Sequence, residues 1–137
     1  MSTERPMTLD IARQALPEVR ELVTELRDAW ETHELLRYKV LTVANGRPFD
    51  DLLPSEQERV NEHLPLMQRL MERINACRTR LKETGCVVRG IREGIVEFYA
   101  FVDHQPVWLC WRLDEEDIAY YHALEDSCAA RQPIDRR

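Results

Sequence analysis

The stretch LKETGCVVRGIREGIVEFYAF, residues 81–101, is where the hydrophobic period of the chain changes. Up to Leu81 apolar residues recur at steps of three and four, the spacing of a helix face. After Gly85 they stand in short β-branched and aromatic runs, the composition of strands. Gly85 itself reads as a helix stop, because glycine accepts the left-handed conformation that closes a helix C-terminus. The reading is therefore α+β, with helices first and a sheet after.

Working back from this junction, Val60, Leu64, Met67, Leu70, Ile74, Cys77 and Leu81 form one stripe, interrupted by Pro65, which should bend or split its helix. Ser55 to Glu58 has the form of a capping box. A turn-rich connection, Asn45-Gly46-Arg47-Pro48, precedes it. Upstream, Ala12, Ala15, Val19, Leu22, Leu26, Ala29, His33, Leu36 and Val40 make a second heptad-like stripe. Thr8 is its N-cap, and Pro17 either kinks a first short helix or begins a new one over residues 17–42. A helix of that length, roughly 39 Å, needs a helical partner to cover its stripe. Residues 8–85 are thus expected to form a long antiparallel helical hairpin, coiled-coil-like, with His33 a core or interface histidine.

Working forward, residues 86–89, 95–101 and 107–111 are predicted as a small antiparallel three-stranded sheet packed on the hairpin. The acidic run at residues 114–117 opens a turn or a short helix. On a helix, His122 and Glu125 would share a face. Residues 86–134 are read as sheet and irregular C-terminal tail, residues 135–137 as fraying, and residues 1–137 as one domain.

Composition sets the bounds. Of the residues, 44% are hydrophobic and 32% charged, as in an ordinary globular chain. The formal charge of -6, with no basic stripe, argues against nucleic acid as a partner. No apolar run approaches a membrane span and the first ten residues lack a signal core, so no membrane is expected and a cytoplasmic location is. The four cysteines, Cys77, Cys86, Cys110 and Cys128, show no CxxC spacing and read as reduced thiols. A set of Cys110, His122 and Cys128 matches no zinc spacing, so no metal is expected. Whether the chain uses a cofactor stays open.

The residues 8–20 (TLDIARQALPEVR), GIVEF at 94–98, LCWRL at 109–113, Tyr120, His122 and RQPI at 131–134 carry a resemblance. In this order, over nearly the whole length, the chain resembles the small prokaryotic domain-of-unknown-function family 2203. The resemblance implies a fold and candidate positions but no reaction. Against that pattern, Asp114 and Ala119 stand where glycines are expected, Tyr121 where a tryptophan is, and Glu125 where an aspartate is. The GFxGR ending reads Ser127-Cys128-Ala129-Ala130-Arg131.

Seven of the ten aromatic residues fall between Phe98 and Tyr121. No strong catalytic signature accompanies them, so whether the protein is an enzyme stays open. Two functional expectations follow. The first is a non-enzymatic interaction or oligomerisation module, a homo-oligomer through the hairpin. The second is a site for a small anionic ligand lined by Trp111, Arg112, His122, Glu125 and Arg131, in which the carboxylate orients the imidazole and a guanidinium holds the anion. The bland alternative for the trio His122, Glu125 and Arg131 is an ion-paired pin for the tail, and for residues 114–117 a solvated turn.

Overall fold

In a computed structural model, which describes residues 6–134, the first apolar stripe forms one helix, α1 (Leu9–Ala44). Thr8 caps it, its hydroxyl accepting from the Ile11 amide at 3.1 Å. Asn45, in the left-handed region at φ 49°, ends it. The helix runs through Pro17 instead of dividing there. Pro17 lies on the exposed side, where the carbonyl that its missing N–H leaves free meets water. The second helix, α2 (Pro54–Glu83), likewise continues through the exposed Pro65. It starts earlier than the Ser55 capping box suggested. Pro54 takes the first helical position, where no amide partner is required, and Glu56 accepts from the Leu53 amide at 2.9 Å.

The two helices pack along most of their length. Within the stripes, Leu16 and Val23 are the buried members where Ala15 and Leu22 were expected, and those two pack alongside. Leu64 is the exception on α2. It is 44% exposed, and the half-buried His63 takes the inward position beside it.

After Gly85, at φ 94°, the chain enters an antiparallel meander of five strands in sequence order. These are β1 (Cys86–Gly90), β2 (Ile95–Val102), β3 (Gln105–Arg112), β4 (Tyr120–Ala123) and β5 (Gln132–Pro133). The α+β class and the hairpin-then-sheet order are as read from the sequence. The strand count is corrected from three to five. The tail is not irregular: it returns once along β3 as β4 and again along β4 as β5, and its peptide groups are paired there. Asp103 and His104, both at positive φ, make the two-residue turn between β2 and β3. The expectation for residues 135–137 falls outside the described residues.

Alternation gives the sheet two unlike faces. Val96, Phe98 and Ala100 of β2, with Val107, Leu109 and Trp111 of β3, are buried in the core shared with the hairpin. Glu97 of β2, Trp108, Cys110 and Arg112 of β3, and Tyr120 and His122 of β4 therefore project from the other face. Arg20 of α1 fastens the loop that follows β3. Its guanidinium donates to the carbonyls of Leu113, Glu115 and Glu116 at 2.9–3.3 Å and lies 5.0 Å from the Trp111 ring centre. Arg13 donates to the Ile118 carbonyl at 2.7 Å.

Arg20→Ala removes those three donations and the stacking on Trp111. It is expected to lower unfolding free energy by about 1–3 kcal/mol, measured as a shifted urea midpoint with an unchanged slope.

Candidate functional site on the outer sheet face

Glu97 is the centre of the outer face. It sits mid-strand, opposite Val87 on one side and Cys110 on the other, and is 3% exposed. A carboxylate so buried requires partners. Arg89 Nε donates to its Oε1 at 2.7 Å, and His122 Nε2 lies 2.6 Å from its Oε2. His122 is 1% exposed, and its other nitrogen, Nδ1, is 2.8 Å from the Ala123 carbonyl oxygen. The Arg89 guanidinium also lies 4.9 Å from the Trp108 ring centre. Trp108 stands opposite His122 in the β3–β4 register.

The chain between β4 and β5 folds over this face. Its one-turn 3-10 helix, Cys128–Ala130, is capped by the Ser127 hydroxyl, which accepts from the Ala129 amide at 3.3 Å. Cys128 is thereby brought to Cys110 of β3, and the two form a disulfide with Cα atoms 6.1 Å apart. This corrects the reading of four reduced thiols: Cys77 and Cys86 are free, Cys110 and Cys128 are bonded. Cys110 is fully buried, as its mid-strand position suggested, but it faces away from the helical core. Burial pushes the Cys77 and Cys86 thiols above their ordinary range by disfavouring the charged thiolate.

A recess of about 580 Å³ opens beside the cluster, bounded by Arg89, Glu97, Trp108, Arg112, Leu124 and Cys128 among others. Arg112 makes no ion pair among the described residues, and its buried Nε has no hydrogen-bond partner.

The five residues expected from the sequence do not converge. Trp111 is in the helix-facing core, donating from Nε1 to the Glu115 carbonyl at 3.0 Å. Arg112 lines the recess, and His122 reaches it through Glu97. Glu125 is exposed in the turn after β4; residues 120–123 are a strand, so the helical spacing that would have aligned Glu125 with His122 does not exist. Arg131 pairs with Glu115 through Nη2 and lies 4.1 Å from the Tyr120 ring centre. Glu97 and Arg89, which sequence reasoning missed, supply the contacts assigned to Glu125 and Arg131. The available signal was parity: if Val96 and Phe98 face the helices, Glu97 shares the opposite face with Arg89 and Cys110.

A model of the family described as Uncharacterized conserved protein (DUF2203) matches residues 5–134. Neither a curated protein nor a solved structure gives a match. No helix among the described residues is long and apolar enough to cross a membrane.

Alkylation in denaturant without reductant should label two thiols, Cys77 and Cys86, and after dithiol reduction all four. Under native conditions both free thiols should react slowly, since each is buried and poor in thiolate. Intact-protein mass spectrometry counts the adducts, and four labels without reductant would remove the disulfide.

Proposed function

We propose, for a chain that belongs to the uncharacterized conserved family DUF2203, that it binds a small carboxylate or phosphate in the recess on the outer sheet face. One observation carries this reading: Arg112 brings a guanidinium with a buried, unpartnered Nε to a recess that Arg89 also lines. Leaving such a donor unanswered costs about 1–3 kcal/mol; the Nε is closed to solvent as it stands, so an anion in the recess would recover that cost by turning the Arg112 fork toward its oxygens. A planar guanidinium suits carboxylate and phosphate oxygens, which it can engage in pairs. Trp108 supplies an apolar wall, and Glu97 holds Arg89 at a fixed orientation. The role proposed is binding; Cys128, whose sulfur borders the recess beside His122 and Glu97, is held in the disulfide.

Titration with a panel of small carboxylates and phosphates, followed by calorimetry, tests this. Arg112→Ala should weaken the best binder at least about tenfold, the scale of one charge-assisted hydrogen bond. Arg131→Ala should not, because that side chain pairs with Glu115 away from the recess, its own buried unpartnered Nη1 notwithstanding. Equal affinity in Arg112→Ala, or no binding by the unaltered protein, overturns the proposal.

A second reading, association of two copies through the hairpin, is favoured by a different observation. Among the described residues, eight of the eleven exposed large hydrophobic side chains lie between Leu35 and Met71, in the turn-proximal half of the hairpin. At about 1.5 Å per residue, the 36 residues of α1 span roughly 54 Å, twice the reach of an eight-residue strand. That half therefore extends beyond the sheet, and each helix there has only the other to cover it. Leu35, Tyr38 and Leu41, 52–68% exposed, recur at steps of three on α1. A second hairpin laid on this stripe would make a four-helix arrangement with twofold symmetry. Light scattering behind size exclusion should report a dimer that the double variant Tyr38→Lys, Leu41→Lys converts to monomer. A monomeric unaltered protein at high concentration would end this reading.

A further inference from the structure

Three lone pairs converge behind the recess. His122 Nδ1 faces the Ala123 carbonyl oxygen, which can only accept, so the ring proton of a neutral imidazole resides on Nδ1. Nε2 then turns its lone pair toward Glu97 Oε2, itself an acceptor, 2.6 Å away. Cys128 Sγ, which carries no hydrogen while in the disulfide, is 3.2 Å from the same oxygen. The donor atoms of all three residues lie within 4.8 Å of one another. Acceptors this close, two of them on residues at most 3% exposed, require a positive species among them. In the disulfide form a proton shared by Nε2 and Oε2 meets that need.

Reduction changes the donor set. Cys110 Sγ is bonded to Cys128 Sγ but stands outside the 4.8 Å group, so opening the disulfide frees a second thiol that joins the set by swinging off its former partner toward the carboxylate. We propose that the reduced protein binds one zinc-class divalent ion through His122 Nε2, the Glu97 carboxylate and the thiolates of Cys110 and Cys128, and that the disulfide switches this site off. Two sulfurs, one nitrogen and one oxygen form a tetrahedral set suited to zinc, whereas magnesium and calcium take oxygen alone. Both non-sulfur ligands are already oriented from behind, the imidazole by the Ala123 carbonyl and the carboxylate by Arg89. Such hydrogen bonds fix tautomer and direction at metal sites. No recognisable spacing announced the site because its ligands come from β2, β3, β4 and the following 3-10 turn.

The chemistry balances. A dithiol reductant delivers two electrons and two protons to the Cys110–Cys128 disulfide, and its own two sulfurs close into a disulfide. On binding, both thiols lose their protons to solvent, and the proton held between His122 and Glu97 leaves as well. Two ligands of one tetrahedral zinc stand about 3.3 Å apart, so Nε2 and Oε2 separate by less than about 1 Å when the ion replaces the proton.

The inference stands apart from the anion reading, since it uses the thiols and imidazole and not Arg112. Cobalt(II) is the probe, added anaerobically to chelator-treated protein in its reduced and disulfide forms. The reduced form should bind one equivalent, with thiolate-to-cobalt charge-transfer absorption and the intense visible bands of tetrahedral geometry, and zinc should displace it. Cys128→Ser, at a half-buried position on a single turn, keeps the far-ultraviolet dichroism of the parent and should lose most of the charge-transfer intensity and at least about tenfold in affinity. His122→Ala should bind more weakly still. Failure of the reduced protein to bind, equal binding by the disulfide form, or binding unchanged in Cys128→Ser would each overturn the proposal.

Discussion

A carboxylate buried in the middle of a strand governs the outer face of this sheet. Glu97 cannot be solvated where β2 places it, and a charge so placed is tolerated only when other groups answer it. Arg89 comes from the strand on one side, and His122 arrives from two strands away on the other. The return of the tail as β4 is what carries the imidazole to Glu97, and the loop closing over it brings Cys128 to Cys110. Arg89 is half exposed and His122 is not, so loss of the imidazole falls on the dry side of the carboxylate and costs more than loss of the guanidinium. Stability and binding potential therefore meet in one side chain.

The helical hairpin makes this possible by occupying the opposite face. Val96, Phe98 and Trp111 bury themselves against α1 and α2, so the outer face is relieved of core packing and can carry polar groups. Strand parity alone then sorts the residues. One slip in register would send Glu97 into the helical core and Phe98 outward, an exchange that burial energies forbid. The Arg13 and Arg20 contacts to the loop after β3 tie the two layers on the C-terminal side of that strand.

Much of the hairpin was legible because its signal is long. Two stripes sustained over many turns outweigh local exceptions, and so Pro17 and Pro65, which locally argue for breaks, were overridden by packing on either side. The first three strands were legible from β-branched and aromatic runs. β4 and β5 were not: four and two residues are too few to show a period, and YYHA between an acidic turn and a polar loop has no distinctive pattern. That omission propagated into the site. Only on a helix would His122 have shared a face with Glu125; with the tail as a strand, the imidazole points across the sheet and meets Glu97.

The same dependence explains why cysteine spacing misled. Cys110 and Cys128 are separated by 18 positions, a gap that spans a loop, a strand and a turn, and nothing in such a gap encodes proximity. Proximity is set by register: Cys110 pairs with Glu97 on one side and Tyr120 on the other, so whatever closes over β4 closes over Cys110 as well. The thiol chemistry and the imidazole–carboxylate pair thus share one location as a consequence of strand order. A disulfide there holds the covering loop to β3, and opening it exchanges a covalent tie for one sulfur donor beside a carboxylate and an imidazole lone pair, with a second sulfur freed next to it. Redox state and cation occupancy are coupled at this point for a geometric reason, since both depend on the same sulfur atom standing 3.2 Å from the same oxygen.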